Sequence, residues 1–240
     1  MIDVHSHIIP GVDDGSKSVE DTYNMILEAK NAGFTDIFAT SHYMTHYYEP
    51  KGEELILWTK KIQELLIAKD ININIHSGME VYVSNSLDEL IKNKKILKLE
   101  NSKYLLMELP INSPINNLDH ILFILEALSI KLILAHPERY VYVQDNPKLI
   151  DEYIEKGILL QCNYGSIIGQ YGLKSKQIMK KMLKKGQVHF LGSDCHRPNG
   201  IYKNIPQAVD KIKSIIGEEE FDKISTKNPM KILENREWIY

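Results

Sequence analysis

The chain has 240 residues, of which 43% are hydrophobic and 25% are charged, and this composition excludes disordered and fibrous proteins. Its 29 basic and 32 acidic residues give a formal net charge of -3, so we expect neither nucleic acid nor an anionic membrane surface as a partner. Cys162 and Cys195 match no disulfide framework and no zinc motif, which predicts a cytoplasmic protein. The apolar runs are far shorter than the roughly 18 residues of a membrane span, and no direct membrane insertion is predicted.

Short β-branched apolar runs alternate along the chain with longer segments of helical period. In the first half, strands are predicted at 2–5, 36–40 and 71–78, and helices at 18–31, 53–68 and 87–92. In the second half, strands are predicted at 104–109, 131–135, 158–162 and 188–191, and helices at 117–128, 147–156, 173–185 and 207–216. Residues 218–240 are predicted to form one or two helices that cover an edge.

Strands that alternate with helices imply a parallel sheet with right-handed crossovers. Seven such units in 240 residues predict an α/β fold, namely a distorted TIM-like β/α barrel with about seven parallel strands. No fixed repeat, low-complexity tract or Pro/Gly-rich linker interrupts the chain, so we expect residues 1–240 to form one domain.

Six of the seven predicted strands run into residue types that bind metal ions. The carboxyl ends of all strands lie on one face of a β/α barrel, so these side chains would meet there. Imidazole and carboxylate donors without thiolates are typical of catalytic Mn, Fe or Zn sites. The predicted metal ligands are His5, His7, Asp14, His42, Glu80, Glu108, His136, Asp194 and His196.

The charges of this group bear on the number of ions. Its four carboxylates, crowded with five neutral imidazoles, would raise one another's pKa values unless cations were present. Two divalent cations would balance the carboxylates, whereas a third would leave an excess of positive charge that complements a phosphate monoester. We therefore predict two or three divalent metal ions and favour three.

Arg139 lies three residues beyond His136 on the same rim, and its planar guanidinium suits phosphate oxygens. We predict that it binds the substrate phosphate, the alternative being a rim ion pair with Glu138 or another acid. Arg197 is a weaker candidate for the same role. The loop beside His42 carries three tyrosines that either flank a phosphotyrosine ring or pack on one another: Tyr43, Tyr47 and Tyr48.

Other motifs for phosphate-ester hydrolysis are absent from the sequence. Thiol phosphatases place an arginine six positions after the catalytic cysteine, but Cys162 is followed there by Ile168 and Cys195 by Ile201. The serine motif GxSxG and the P-loop pattern are missing as well. These absences favour hydrolysis by a metal-activated hydroxide.

The motifs MIDVHSHIIPGVDDG, TSHY, GMEVY, LMELP, AHPERY and GSDCH occur in this order and span essentially the whole chain. Together they resemble the PHP (polymerase and histidinol phosphatase) superfamily and, within it, the bacterial metal-dependent protein-tyrosine phosphatases of capsule and exopolysaccharide loci. The resemblance implies the PHP fold, a distorted β/α barrel, most often with manganese. It implies one ion held by His5, His7, Glu80 and Asp194, a second by Glu80, Glu108 and His136, and a third by Asp14, His42 and His196. Family members often carry an arginine several residues after the SDxH motif, whereas here Arg197 follows His196 directly.

The same resemblance implies a protein-tyrosine phosphatase with Arg139, His42 and Asp194 as catalytic residues. The expected substrate is a phosphotyrosyl protein, namely the tail of a membrane tyrosine autokinase that regulates capsule and exopolysaccharide synthesis. One alternative is a small-molecule phosphatase such as a histidinol-phosphate phosphatase. A PHP-type nuclease is disfavoured because no basic groove is evident. A non-catalytic protein that binds the kinase and carries structural metals is the third alternative.

Overall fold

The computed structural model describes residues 1–238 and contains a seven-stranded parallel sheet whose strands neighbour one another in chain order. This arrangement confirms the predicted α/β barrel. The strands are β1 (Ile2–Ser6), β2 (Asp36–Tyr43), β3 (Asn74–Tyr82), β4 (Tyr104–Glu108), β5 (Lys131–Ala135), β6 (Leu159–Asn163) and β7 (Phe190–Gly192).

In the described part of the chain, eight helices connect successive strands on the outside of the sheet, and two more follow β7. They are α1 (Val19–Asn31), α2 (Gly52–Ala68), α3 (Leu87–Lys92), α4 (Leu118–Ala127), α5 (Val141–Asp145), α6 (Leu149–Glu155), α7 (Tyr164–Ile168), α8 (Gly172–Lys184), α9 (Ile205–Asp222) and α10 (Asn228–Leu233). The sequence did not predict α5 and α7, because five residues are too few to show a helical period. Within residues 1–238, no helix has both the length and the apolarity to cross a membrane.

Alternate residues of each strand face opposite sides of the sheet, as the period of a strand requires. One side packs on the helices, through residues such as Ile37, Leu105, Leu132, Leu160 and Leu191. The other side fills the inside of the barrel, through residues such as Val4, Phe38, Leu106, Ile133, Leu159 and Phe190. The strands are therefore apolar on both faces, and most of their buried polar residues lie towards the carboxyl ends.

The terminal segment closes the amino-terminal end of the barrel. Ile232 of α10 joins the interior cluster, and the ring of Trp238 lies 5.5 Å from that of Phe190. The prediction that residues 218–240 cover an edge is thus met by α10 and the chain that follows it, except that residues 239 and 240 lie outside the described part. The single-domain organisation stays a prediction.

At the other end, the barrel closes between β1 and the residues that follow β7. His7 N donates to Cys195 O at 2.9 Å, and Asp194 N donates to His5 O at 2.8 Å. Fully buried Asp3 reinforces this seam, since its carboxylate accepts from Ser193 N at 2.8 Å. The first and last strands therefore meet where the predicted ligands lie.

Candidate metal centre

The carboxyl ends of the strands surround a cavity of about 290 Å³. Seven of the nine predicted ligands line it, namely Asp14, His42, Glu80, Glu108, His136, Asp194 and His196. The other two, His5 and His7, are fully buried beneath its floor. The structure thus brings all nine side chains into one basin, although they are spread over nearly the whole sequence.

The floor of the basin joins two imidazoles and two carboxylates. The Nε2 atoms of His5 and His7 lie 3.1 Å apart. Glu80 Oε2 lies 3.1 Å from the former nitrogen and 3.4 Å from the latter, while Asp194 Oδ1 lies 3.6 Å and 3.5 Å from them. Four side chains, from β1 and the residue that follows it, from β3 and from the segment after β7, therefore point their polar atoms at one place.

The remaining ligands extend this cluster in two directions. Towards β5, His136 Nε2 lies 3.0 Å from Glu80 Oε1 and 3.7 Å from Glu108 Oε1. Towards the loop after β1, Asp14 Oδ1 lies 3.6 Å from His42 Nε2 and 3.5 Å from His196 Nε2. Both extensions reach back to the floor, because Glu80 Oε2 is also 3.1 Å from His42 Nδ1.

This donor set fits divalent cations. Among the described residues, three groups offer ligand atoms within 4.8 Å of one another: His7, Asp14, His42 and His196; His5, His7 and Glu80; and His42, Glu80 and Glu108. Glu80 Oε2 and His42 Nδ1 are buried and lack any hydrogen bond, which is costly for polar atoms unless a cation satisfies them. Nitrogen and carboxylate donors without thiolates suit Mn, Fe or Zn.

Charges in the basin are strongly coupled. Burial disfavours a charge on His5, but Glu80 and Asp194 outweigh this effect and raise its pKa to about 9. On the rim, burial and Glu80 raise the pKa of Glu108 to about 7, while burial and His7 lower the pKa of His196 to about 4. Metal ligands must be deprotonated, so cations and protons compete for the inner imidazoles.

Two of the predicted ligands lie on strained backbone. His136 and Asp194 have φ values of 34° and 54°, in the left-handed region that non-glycine residues rarely adopt. Strands β1, β6 and β7 also pack closely beside these residues. A Cβ on Gly192 would lie 2.6 Å from the Cβ of His5 and 2.7 Å from Gln161 Nε2. Only glycine permits this approach of β7 to β1.

The sequence did not reveal Asp13 as a partner of the ligands. Its Oδ2 lies 3.0 Å from His7 Nδ1 and accepts from His42 N at 2.9 Å, while Oδ1 accepts from Gly15 N at 2.9 Å. A carboxylate behind a ligating imidazole orients the ring and raises its basicity. The adjacent acids of GVDDG therefore divide their roles: Asp14 faces the basin and Asp13 supports His7.

Strand β6 supplies supporting amides instead of a ligand. His5 Nδ1 donates to Gln161 Oε1 at 2.9 Å, which leaves the His5 Nε2 facing the carboxylates. Gln161 Nε2 donates to Asn163 Oδ1 at 2.8 Å, and Asn163 Nδ2 donates to Asp194 Oδ2 at 2.8 Å. All four residues are buried, so this chain of hydrogen bonds orients two predicted ligands through a third strand.

Replacing Gln161 by leucine is expected to weaken metal binding by about 10- to 100-fold, because His5 loses the acceptor that orients its ring. Titration calorimetry of the metal-free protein with Mn²⁺ measures the effect. Gln161→Glu retains an acceptor for His5 Nδ1 and is the matched control, with a smaller loss expected. Unchanged Mn²⁺ affinity in folded Gln161→Leu would show that the amide chain does not orient His5.

Arg139 reaches the basin from the turn that follows β5. Its Nη1 donates to Asp194 Oδ2 at 2.6 Å, and its guanidinium carbon lies 4.4 Å from the ring centroid of Tyr171. The alternative partner Glu138 is instead buried, accepting from Asn163 N at 2.8 Å and Ser166 Oγ at 2.6 Å. Tyr171 was missed in the sequence, where only nearby loop glycines marked the region.

The rim tyrosines take three different positions. Tyr43 is buried in the core, the ring of Tyr48 stacks on that of His42 with a centroid distance of 6.0 Å, and the side chain of Tyr47 is 78% exposed. None of the three belongs to the described lining of the cavity.

Burial raises the pKa of the Cys195 thiol to about 12, and burial raises the pKa of the Cys162 thiol as well, so neither thiol is an activated nucleophile.

Comparisons with known proteins identify the family of this chain. The model of the family described as capsular polysaccharide synthesis, CpsB/CapC, matches residues 1–234. A putative tyrosine-protein phosphatase CapC of Staphylococcus aureus is 31% identical over 196 residues, which is 82% of this chain and 77% of the relative. The tyrosine-protein phosphatase CpsB of Streptococcus pneumoniae is 30% identical over 240 residues, covering 97% of this chain and 98% of the relative.

Similar solved structures agree with this family match. A structure from a study of YwqE from Bacillus subtilis and CpsB from Streptococcus pneumoniae, described as unique metal-dependent tyrosine phosphatases, has a TM-score of 0.91 at 26% identity. The match covers 100% of this chain and 96% of that one. A histidinol phosphate phosphatase from Lactococcus lactis, with a TM-score of 0.57 at 14% identity over 89% of this chain and 93% of that one, shares the fold alone.

Proposed function

This chain belongs to the CpsB/CapC family of capsular polysaccharide synthesis proteins, and from that premise we propose that it is a metal-dependent tyrosine-protein phosphatase. The observation that carries the proposal is the convergence of imidazoles and carboxylates from separate strands in one cavity at the carboxyl end of the barrel. Buried atoms without hydrogen bonds at its centre support a function for bound cations.

The ions would be held by the nine residues predicted as ligands, with Glu80 in the middle. When bound, divalent ions lower the pKa of a water molecule towards about 7 and neutralise charge on the phosphoryl group. We propose three ions. Asp13 adds a negative charge beside the ligands and Arg139 adds a positive one, so these two charges cancel. Three divalent ions therefore still leave the excess positive charge that complements a phosphate monoester. We propose manganese among the ions that suit nitrogen and oxygen donors, because the resemblance to the bacterial metal-dependent tyrosine phosphatases implies it.

Arg139, His42 and Asp194 are the proposed catalytic residues. Arg139 presents its guanidinium to the oxygens of the phosphate, and its position is held by Asp194 on one side and the Tyr171 ring on the other. His42 lines the same cavity, and its ring stacks on that of Tyr48. The tyrosine phenol has a pKa of about 10 and is a tolerable leaving group, so the chain needs no strong general acid.

We further propose that the substrate is the tyrosine-rich tail of a bacterial tyrosine autokinase and that the protein acts in the cytoplasm. The family's description as capsular polysaccharide synthesis proteins supports the pathway. Both cysteines are free and buried, which suits a reducing compartment.

With Mn²⁺ present, the purified protein is expected to hydrolyse phosphotyrosyl peptides at least about 100-fold faster, in kcat/KM, than phosphoserine peptides of the same sequence. The phenyl ring lets phosphate reach the basin while the peptide stays at the rim, and phenolate leaves more easily than an alkoxide. Released phosphate is measured for both peptides, with EDTA expected to abolish the signal.

Equal rates on the two peptides would refute the tyrosine assignment and leave a general phosphatase. Faster turnover of histidinol phosphate than of any phosphotyrosyl peptide would favour the small-molecule phosphatase. Stoichiometric metal without turnover of p-nitrophenyl phosphate would identify a non-catalytic binding protein.

A further inference from the structure

Beside the catalytic basin lies a second, more open cavity of about 520 Å³. We call it the side groove, and its polar walls are Gln170, Arg197, Asn199, Asn204 and Gln207. Gln170, Arg197, Gly200 and Ile201 line both cavities, so the side groove adjoins the basin at these residues. A ligand whose phosphate lies in the basin can therefore extend into the side groove.

We propose that the side groove binds the peptide that flanks the phosphotyrosine, and that Arg197 pairs with a carboxylate side chain of that peptide. This inference rests on the proposed phosphatase function and adds a preference among phosphotyrosyl substrates. It assigns Arg197 to peptide recognition in place of the phosphate itself.

The two arginines of the site differ in their partners. Arg139 is held by Asp194 and by the Tyr171 ring, so its guanidinium is fixed inside the basin. The side chain of Arg197 is exposed and, within residues 1–238, makes no ion pair and no hydrogen bond. An arginine fork without a partner at the mouth of a binding cavity is available for a ligand carboxylate.

The backbone around Arg197 is fixed although its side chain is free. Cys195 Sγ donates to the carbonyl oxygen of Arg197 at 3.5 Å, and a Cβ on Gly200 would lie 2.7 Å from the same oxygen. The loop is therefore tightly packed and sits directly after the predicted ligand His196. Because the backbone of Arg197 is already held in place, binding a partner needs to order mainly the Arg197 side chain, which limits the entropy cost of binding.

The other polar walls are neutral amides, which suit a peptide backbone because an amide both donates and accepts hydrogen bonds. No acidic side chain belongs to the lining described for the side groove. Glu28, behind it, accepts from Asn199 N at 2.9 Å, and Lys203 contacts the Asn199 side chain. The local charge is thus positive, although the whole chain carries a formal charge of -3. A preference for acidic peptides would therefore come from this groove and not from the net charge.

Paired phosphotyrosyl peptides test the proposal. Each pair has glutamate or glutamine at the three positions before the phosphotyrosine, or at the three positions after it. The wild-type protein with Mn²⁺ is expected to show a kcat/KM about threefold to tenfold higher for the glutamate member of one pair, as for a partly exposed ion pair. Arg197→Gln should bring this ratio close to one, and Arg197→Glu should reverse it. Arg236→Gln, which removes a guanidinium from the exposed C-terminal segment, should keep the wild-type ratio.

Three results would overturn the proposal. Equal wild-type kcat/KM values within both pairs would remove the acid preference while leaving the phosphatase intact. A parallel loss by Arg197→Gln on both members and on p-nitrophenyl phosphate would place Arg197 on the phosphate instead. Absence of turnover of every phosphotyrosyl peptide by the wild-type protein would refute the proposed function, and this inference with it.

Discussion

Glu80→Gln is expected to lower kcat/KM for phosphotyrosyl peptides by about 10³-fold or more, because this carboxylate connects all parts of the proposed metal centre. Glu80 is fully buried. Its Oε2 lies 3.1 Å from both His5 Nε2 and His42 Nδ1, and its Oε1 lies 3.0 Å from His136 Nε2. No other predicted ligand has both of its carboxylate oxygens close to imidazoles from three separate parts of the sheet.

Glutamine keeps the shape of Glu80 but replaces one oxygen by an amide nitrogen that cannot bind a cation. The negative charge at the centre is lost as well. We therefore expect the purified variant to hold at least one metal ion fewer per chain, as measured by elemental analysis, together with the loss of turnover. Thermal unfolding followed by circular dichroism checks that the metal-free variant is still folded.

The matched control is Glu64→Gln, the same change on the exposed side of α2, which should retain wild-type metal content and rate. If Glu80→Gln kept both full metal content and full activity, Glu80 would not be a shared ligand. Normal metal content with lost activity would instead limit Glu80 to a role in the reaction.

The barrel and the convergence of the predicted ligands were predictable because both depend on short-range patterns. Apolar runs of strand length that alternate with helical segments determine the order of the elements, and parallel strands place their carboxyl ends on one face. Residues such as His42, Glu80 and Glu108, each at or near the end of its strand, therefore had to meet, whatever the details of packing.

The supporting residues were not predictable, because their roles depend on registers between strands that are distant in sequence. Gln161 reaches His5 only because β7 approaches β1 so closely at Gly192. In the sequence, Gln161 is one polar residue in an apolar strand. Asn163 ends the same strand, and its contact with Asp194 depends on how β6 and β7 pair.

Local backbone geometry also limited what the sequence could predict about the site. The left-handed conformation of His136 starts the short helical turn Pro137–Arg139, and this turn directs Arg139 to Asp194 instead of the adjacent Glu138. The sequence alone named only the adjacent Glu138 or an unspecified acid as an ion-pair partner of Arg139. The contact of Arg139 with Tyr171 depends on the loop between α7 and α8, which carries no motif.

Arg139→Ala is expected to lower kcat/KM for phosphotyrosyl peptides by about 100- to 1,000-fold, since one donor to the developing charge of the phosphoryl group is lost. Arg139→Lys keeps the positive charge but should recover only a small part of the rate. A lysine ammonium has no planar fork to bridge Asp194 and a phosphate oxygen, and it cannot stack on Tyr171 in the same way. Steady-state kinetics and inhibition by inorganic phosphate measure the two effects.

Because Arg139 also contacts the predicted ligand Asp194, its removal could act through the metals instead of the phosphate. The two explanations differ in what they change. Loss of a phosphate contact raises the inhibition constant of inorganic phosphate at full metal content, whereas a disturbed Asp194 lowers the metal content first. Added guanidinium should partly restore the rate of Arg139→Ala only if Arg139 acts by contacting the phosphate. Arg236→Lys, on the exposed C-terminal segment, should behave as wild type, and an Arg139→Ala protein with unchanged phosphate inhibition would refute phosphate binding by Arg139.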